Sequence, residues 1–226
     1  MRRAAALIIA LALGISLLIL RGDPGRNVPL YEFQRPPQAF GLELIERPRT
    51  AADKIVNGAK LEAIRRVVYN SSYVSVSYPY GDVPSGQGAC TDVLVRALRN
   101  AGYDLQKLIH EDMKRHFALY PNNWGHTRPD PNIDHRRALN HLAFMRRFAK
   151  DLPTDTEGDA AGTWKPGDLV YWDLTGNGAT HCGVISNDRN ARGLPLVVHN
   201  IGPTARQDDC LNNWEIIGHF RYPCTA

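Results

Sequence analysis

The sequence lacks a strong excess of charge of either sign, and it lacks a pattern typical of nucleic-acid binding. Its 226 residues carry 27 Lys and Arg against 23 Asp and Glu, a formal net charge of +4. The basic residues are scattered along the chain, so we expect no nucleic-acid partner. A mild positive charge is compatible with an anionic surface such as a membrane face or a cell-wall polymer.

The sequence also lacks internal repeats and a convincing metal-binding cluster. One acidic and histidine-containing run, residues 110–112, occupies adjacent positions of a predicted helix, where side chains point in different directions. We therefore expect no metal and no other cofactor. The composition, 43% hydrophobic and 22% charged, is ordinary for a globular domain with a real core. We expect one domain and a monomer.

Long apolar runs are absent except at the N-terminus. Arg2 and Arg3 precede an apolar run over residues 4–20, which is typical of a secretory signal. No clear small-residue cleavage site follows it, and the run reaches the lower length limit for a membrane span. We expect export to the periplasm or cell envelope, with residues 4–20 as an uncleaved anchor in preference to a cleaved signal. The predicted organisation is a signal or anchor over 1–22, a Pro- and Arg-rich tether over 23–50, and a folded domain over 51–226.

Cysteine is scarce, with four residues in the whole chain. In an oxidising compartment four cysteines allow three full connectivities. Cys210 and Cys224 flank a predicted strand, and we expect these two to form a disulfide. Cys182 is expected to be a small core residue.

The order of helical and strand-like patterns predicts the fold class. Apolar residues recur at helical spacing over residues 52–68, 91–101, 105–120 and 135–152. The C-terminal part instead contains short β-prone runs separated by turn residues, over 168–172, 181–186, 196–200 and 215–222. Helices first and an antiparallel sheet last predict an α+β domain.

Cys90 lies between a glycine-rich turn and a predicted helix, in the run GQGACTDVLVRALRNAG. A helix N-terminus carries partial positive charge that stabilises a thiolate, and its free backbone N–H groups are suited to hold an oxyanion. A buried structural thiol fits the same position. Local sequence alone leaves both interpretations open.

A cysteine nucleophile needs a base, and two histidines lie on neighbouring predicted strands. Of eight histidines, His181 opens one strand and His199 ends the next. On adjacent antiparallel strands these two rings can face each other, so that one orients the other. A histidine at a strand end is more often a structural hydrogen-bonding group.

Long segments of the chain resemble known families. The runs WKPGDLVYWDL, THCGVIS and VVHNIG are similar to the strand pattern of NlpC/P60 cysteine peptidases. A closer resemblance is to the DUF1287 family, whose members are exported bacterial proteins placed among the papain-like peptidases. The runs that carry this resemblance are YPYGDVPSGQGACTDVLVRALRNAGYDLQKLIHEDM, YPNNWG, PDPNIDHRR and IIGHFRY. The resemblance runs from about residue 74 to residue 222 and implies a papain-like, NlpC/P60-type fold.

The resemblance also implies catalytic roles. It makes Cys90 the nucleophile, His181 the general base and His199 the residue that orients His181. Asn200 is an alternative orienting residue, but strand alternation allows only one of the pair to face the cleft. Gln87 is a candidate second oxyanion donor beside the Cys90 backbone N–H.

Several other polar residues lie in the matched segments. Asp82, Asp134, His135 and Trp124 are candidates to line the cleft and bind substrate. For Asp134 the favoured alternative is an N-cap of the helix predicted to begin at His135.

The expected function is cleavage of an amide bond through a Cys–His thioester mechanism, most plausibly in peptidoglycan peptides. Two alternatives stay open: an acyltransferase or thioesterase acting on lipid or protein acyl groups, and an inactive module that binds cell-wall peptides. In each case the membrane is contacted only through the N-terminal segment.

Overall fold

The computed structural model describes residues 41–176, 178 and 181–223. The predicted signal or anchor and most of the predicted tether lie outside these residues. Residues 41–50, the end of the predicted tether, lie against the first helix: Asn57 exchanges two hydrogen bonds with the backbone of Ile45, and Lys60 donates to the Glu43 carbonyl. No helix within the described residues is long and apolar enough to cross a bilayer.

Within the described residues, four α-helices precede the main sheet. Their bounds are α1 Ala51–Ile64, α2 Cys90–Asn100, α3 Leu105–His116 and α4 Ala138–Phe148. α1 begins at a capping box, in which Thr50 accepts from the Asp53 N–H and the Asp53 carboxylate accepts from the Thr50 N–H. The helix predicted from residue 52 therefore begins at Ala51.

The eight strands form two sheets. β1 Val68–Tyr69 pairs in parallel with β2 Gln87–Gly88. The six-stranded sheet is antiparallel throughout and has the order β3-β8-β4-β5-β6-β7. Its strands are β3 Lys150–Asp151, β4 Leu169–Asp173, β5 His181–Arg189, β6 Pro195–His199, β7 Arg206–Asp208 and β8 Glu215–Arg221. The predicted α+β class, with N-terminal helices packed on a C-terminal antiparallel sheet, is confirmed.

The two faces of the sheet are both buried. One face packs against the helices through a core that includes Leu94, Leu98, Tyr171, Cys182 and Val184. The other face carries a second cluster of Trp164, Val170, Trp172, Ile185, Val197, Cys210 and Leu211. Alternate residues of β4 and β5 contribute to opposite clusters, as strand geometry requires. Every residue of β4 is consequently buried.

Some boundaries differ from the sequence prediction. The helix predicted from His135 begins at Ala138, because residues 134–136 form a 3₁₀ turn and Arg137 is extended. The helix predicted to reach Tyr120 ends at His116 and continues as a 3₁₀ turn over Phe117–Leu119. The short strands β3 and β7 were not predicted. β7 matters most, because it brings an acidic residue to the candidate site.

Candidate functional site

Cys90 is the first residue of α2 and lies where the helix meets the sheet. Ala89 is the N-cap and has extended backbone, but it has no side chain that can cap the helix. The Asp92 carboxylate accepts from the Ala89 N–H at 2.6 Å instead. Cys90 itself is 7% exposed. Its sulfur therefore lies at a helix N-terminus, where backbone N–H groups have no partner within the helix.

A buried ion pair fixes this helix start. Arg136 donates to both Asp92 carboxylate oxygens at 2.9 Å, through Nε and Nη2. The same guanidinium donates to the Ser72 carbonyl at 2.7 Å, and Thr91 Oγ1 donates to the Arg136 carbonyl at 3.0 Å. Asp92 and Arg136 are both buried. The position of Cys90 thus depends on a residue 46 positions further along the chain.

The two predicted histidines contact each other. β5 pairs with β6 so that Gly183 lies opposite His199, which places His181 diagonally across from it on the same face of the sheet. The distance between His181 Nε2 and His199 Nδ1 is 2.7 Å. A Cβ on Gly183 would lie 2.6 Å from Val197 Cγ1 and 3.3 Å from the His199 Cβ. The glycine that follows Cys182 therefore permits the close approach of β6.

Asp208 on β7 extends this pair to three groups. Its Oδ2 lies 3.2 Å from His199 Nε2, and Arg206 also donates to it. Burial alone would raise the pKa of Asp208, but the hydrogen bond and charge of His199, with Arg206, bring that pKa below its usual value. Asp208 is therefore a carboxylate at neutral pH and can only accept hydrogen bonds.

The charge states define the direction of the hydrogen bonds. Burial, offset in part by Asp208, lowers the pKa of His199 to about 4, so this ring is neutral and carries one proton. A carboxylate facing Nε2 places that proton on Nε2, which leaves Nδ1 as an acceptor. His181 must then donate from Nε2 to His199. The remaining nitrogen of His181, Nδ1, takes no part in this contact and is free to exchange a proton with another group.

The Cys90 sulfur is surrounded by hydrogen-bond donors. The pKa of Cys90 lies well below its usual value, first because the Cys182 thiol donates to the sulfur. Burial opposes this effect, and the His181 ring and the Cys182 backbone N–H add to it. Since His181 Nε2 is occupied by His199, the nitrogen facing Cys90 is Nδ1. Cys90, His181, His199 and Asp208 therefore form one connected chain.

Aromatic side chains enclose the histidines. The His181 ring stacks on Trp172, with centroids 5.4 Å apart and an interplanar angle of 16°, and Trp214 meets it edge-on at 5.7 Å. Trp172 Nε1 donates to the Leu211 carbonyl at 2.9 Å. These contacts hold the His181 ring and exclude water from its faces. Both histidines are buried.

Tyr69 on β1 is close enough to Cys90 for the charge of the sulfur to affect its phenol. Burial raises the pKa of Tyr69 to about 12, and the negative charge of Cys90 is the second cause. The phenol is consequently protonated at all physiological pH values and available as a donor. Nothing in the local sequence around Tyr69 indicated this proximity, because β1 is two residues long.

Asn200 and Gln87 do not contact the sulfur through their side chains. Asn200 is fully buried, donates to the carbonyls of Val67 and Gly88 and accepts from the Gly202 N–H. It braces the segment before Cys90, while His199 contacts His181. Gln87 is exposed, and its Oε1 accepts from Asn70 Nδ2 at 2.7 Å. Of the two alternatives, His199 is the one that contacts the His181 ring.

The accessory candidates occupy supporting positions. Asp82 accepts from Arg96 and Arg99 on α2. Asp134 accepts from the Asp130 N–H at 2.5 Å, so it closes a loop and does not cap α4, whose N-cap is Arg137. Trp124 is 38% exposed and lies 4.1 Å from the Arg137 guanidinium carbon.

His135 is buried, and its Nδ1 has no hydrogen-bond partner in the part of the chain that the structure describes. Burial lowers its pKa to about 4. His135 is therefore neutral and belongs to the core below Arg136 rather than to a solvent-facing cleft. The sequence predicted His135 as the first residue of a helix. In the structure it lies in the 3₁₀ turn over Asp134–Arg136.

The buried histidines predict a loss of stability in acid. The folded-state pKa values of His135 and His199, both about 4, lie below the value of about 6.5 in an unfolded chain. As the pH falls through this window the unfolded chain binds protons first, so the free energy of unfolding falls; above it the contribution is constant. Between pH 7.5 and pH 5 we expect a loss of about 2 kcal/mol per histidine.

Urea unfolding midpoints at the two pH values measure this loss. The variant His135→Gln removes one titrating group. The pH-dependent loss in its free energy of unfolding should therefore be smaller by about half of the loss expected from the two histidines together. Equal midpoints for the parent protein at pH 7.5 and 5 would contradict the neutral, buried state of both rings.

The predicted disulfide concerns one described cysteine and one that is not described. Cys210 is buried, and its sulfur lies 3.7 Å from His199 Nε2. Cys224 lies outside the described residues, so the pairing of Cys210 with Cys224 stays a prediction. Within the described residues, no group of three or more His, Cys, Asp and Glu side chains is arranged to hold a metal ion.

The motifs that carry the family resemblance also build a second buried cluster. Asp168 accepts from Arg221 and lies 2.9 Å from His219 Nε2, and the His219 ring stacks on Trp164 at 3.5 Å. These contacts tie β4 to β8, and β4 lies between β8 and the strand that carries His181. We assign this cluster to stability.

Comparison with known proteins identifies the family. A family model described as "Domain of unknown function (DUF1287)" matches residues 56–222. Uncharacterized protein YijF of Escherichia coli (strain K12) is 45% identical over 168 residues, which cover 74% of this chain and 80% of that protein. The matched region contains α2 and all strands of the main sheet, and hence every residue of the site described above. The chain therefore belongs to the DUF1287 family.

Proposed function

We propose that this protein is a papain-like, NlpC/P60-type cysteine hydrolase that cleaves an amide bond. The observation that carries the proposal is the connected chain from Cys90 through His181 and His199 to Asp208, with 2.7 Å between the two rings and 3.2 Å between His199 and the carboxylate. A nucleophile, a base and an orienting group within hydrogen-bond reach are what thiol-dependent acyl transfer requires.

The mechanism follows from the proton positions. With the Cys90 proton held on Nδ1 of His181, the thiolate attacks the amide carbon. The resulting imidazolium donates its proton to the leaving nitrogen, which departs as an amine and leaves a thioester on Cys90. Water, deprotonated by the same Nδ1, then attacks the thioester and releases the acid, and the sulfur leaves as a thiolate with the proton back on Nδ1. His199 and Asp208 keep the His181 ring in the tautomer that this cycle needs.

The tetrahedral intermediates carry an oxyanion that needs two donors. The backbone N–H of Cys90 at the start of α2 is one. The Tyr69 hydroxyl is the second, because it is protonated and lies close enough to Cys90 to sense the charge of its sulfur. This assignment replaces Gln87, whose side chain is bonded to Asn70.

The variant Tyr69→Phe tests this assignment. Loss of one oxyanion donor should lower kcat by about 10²-fold with a smaller change in KM. The matched control is Tyr103→Phe, because Tyr103 packs edge-on against Tyr222 away from the site. Equal kcat values for Tyr69→Phe and Tyr103→Phe would remove Tyr69 from the mechanism.

The proposed substrate is a peptide of the cell wall, cleaved in the periplasm or cell envelope. Support comes from the basic N-terminal residues before the apolar run at 4–20 and from the mild net positive charge, which suits an anionic polymer. The acyl-enzyme chemistry is equally that of an acyltransferase or thioesterase, and a binding module would retain the fold without turnover.

Digestion of purified peptidoglycan separates these activities. The protein is incubated with the polymer, and soluble fragments are identified by mass spectrometry; a sample alkylated on Cys90 with iodoacetamide is the control. Fragments ending at a new carboxyl group, released only by the unmodified sample, support the amide hydrolase. No release, or equal release by both samples, would contradict the proposed function on this substrate.

A further inference from the structure

Cys182 reaches Cys90 from the sheet. In the register of β4 and β5, Cys182 lies opposite Tyr171, and both side chains face the helices. His181 and Gly183, its neighbours in sequence, belong to the opposite face, as alternation along a strand requires. The Cys182 side chain therefore packs in the same core cluster as Cys90, at the start of the helix that covers β5.

Cys182 is the neighbour that most affects the acidity of Cys90. Hydrogen bonding from the Cys182 thiol is the largest cause of the lowered pKa of Cys90, and the Cys182 backbone N–H contributes to it. Both residues are buried, Cys182 completely. Cys210, the remaining described cysteine, belongs to the cluster on the other face of the sheet. The sheet separates it from this pair.

The pair is electronically asymmetric. The donors around Cys90 lower its thiol pKa, whereas burial and the adjacent Cys90 charge raise the pKa of Cys182 well above the usual value. Of the two thiols, Cys90 is therefore the more acidic. A low-pKa thiolate beside a second cysteine is the arrangement found in thiols that are oxidised reversibly.

We propose that Cys90 and Cys182 are a redox modification site, in which a peroxide oxidises Cys90 and Cys182 then closes a reversible disulfide with it. The Cys90 thiolate attacks one oxygen of the peroxide, which breaks the O–O bond and gives Cys90 sulfenic acid and hydroxide. The Cys182 sulfur attacks the sulfenic sulfur and forms the S–S bond. The thiol proton and the departing hydroxide leave as water. Sulfur loses two electrons in total, and the peroxide gains them.

This chemistry gives Cys182 a role beyond core packing. A disulfide removes the Cys90 nucleophile while it lasts, and a dithiol restores both thiols. Without a neighbouring thiol, the sulfenic acid reacts with a second peroxide and becomes sulfinic acid, which dithiols do not reduce. Cys182 therefore protects Cys90 from permanent loss in an oxidising compartment.

The test uses the reduced full-length protein, treated with hydrogen peroxide and then denatured in iodoacetamide. Intact mass and peptide mapping should show loss of two hydrogen atoms and a crosslink between the Cys90 and Cys182 peptides. Dithiothreitol should return both cysteines to the alkylatable state. This readout does not depend on hydrolysis, so it stands or fails separately from the proposed function.

Two variants complete the experiment. In Cys182→Ser, which keeps a donor of similar size, peroxide should add two oxygen atoms to Cys90, and dithiothreitol should not reverse this. In Cys210→Ala the crosslink between Cys90 and Cys182 should form as in the parent. Sulfinic acid on Cys90 of the parent without a crosslink, or a crosslink that requires Cys210, would overturn the proposal.

Discussion

Replacing Cys90 by alanine is expected to lower kcat for amide hydrolysis by about 10⁵- to 10⁶-fold, to the level of the uncatalysed assay. The reason is that no other described group can take its place at the helix start: Cys182 faces the same cluster, but burial raises the pKa of its thiol. The helix dipole and the His181 base act only on the sulfur at position 90. The effect on kcat is measured from the rate at which free amines appear during hydrolysis of wall peptides.

The control for this variant separates chemistry from folding. Cys90→Ala keeps the Cβ and removes one sulfur from a site that is 7% exposed, so the thermal midpoint should change little. Asp208→Asn provides a graded comparison, because it leaves the nucleophile and base in place and weakens only the orientation of His199. Its kcat should fall by about 10- to 10²-fold. Undiminished hydrolysis by Cys90→Ala with an intact fold would contradict the mechanism.

The variant Arg136→Ala is expected to lower the free energy of unfolding by about 3–5 kcal/mol. It leaves the Asp92 carboxylate buried without its cation, since both of its oxygens accept from this guanidinium at 2.9 Å. It also frees the carbonyl of Ser72, which the same side chain binds. The thermal midpoint should fall by about 10 °C for a domain of this size.

Arg146→Ala is the matched control, because Arg146 is exposed on α4. Its effect should stay within about 0.5 kcal/mol. Combining Arg136→Ala with Asp92→Asn should cost less than the sum of the single changes, because the buried charge is then gone. An Arg136→Ala protein as stable as Arg146→Ala would mean that the ion pair does not hold the start of α2.

The sequence was sufficient to predict where Cys90, His181 and His199 lie on their helix and strands. A glycine-rich turn before a helical apolar pattern placed Cys90 at a helix start, and α2 begins at that residue. The β-prone runs around His181 and His199 were short but separated by clear turns, so their antiparallel pairing followed from spacing. Alternation also turned Cys182 away from His181, as its place on the helix-facing side of the sheet confirms.

The remainder of the site depends on contacts that no local pattern contains. Asp208 lies on a strand of three residues, whose sequence Arg-Gln-Asp shows neither alternation nor apolar character. Arg136 reaches Asp92 from a 3₁₀ turn that interrupts what the sequence pattern predicted as continuous helix. Tyr69 lies near Cys90 through a two-residue parallel pairing. Each of these positions is set by tertiary packing between segments far apart in the chain.

The central claim is that Cys90 is an activated thiolate, and the pH dependence of its alkylation tests this most directly. The rate of iodoacetamide addition to Cys90 is followed by peptide mass spectrometry between pH 4 and 10, in the parent protein and in His181→Gln. We expect the parent to reach its half-maximal rate well below the value of about 8.5 for a free cysteine, and the variant to shift upward. A parent profile that follows the free thiol would contradict the account.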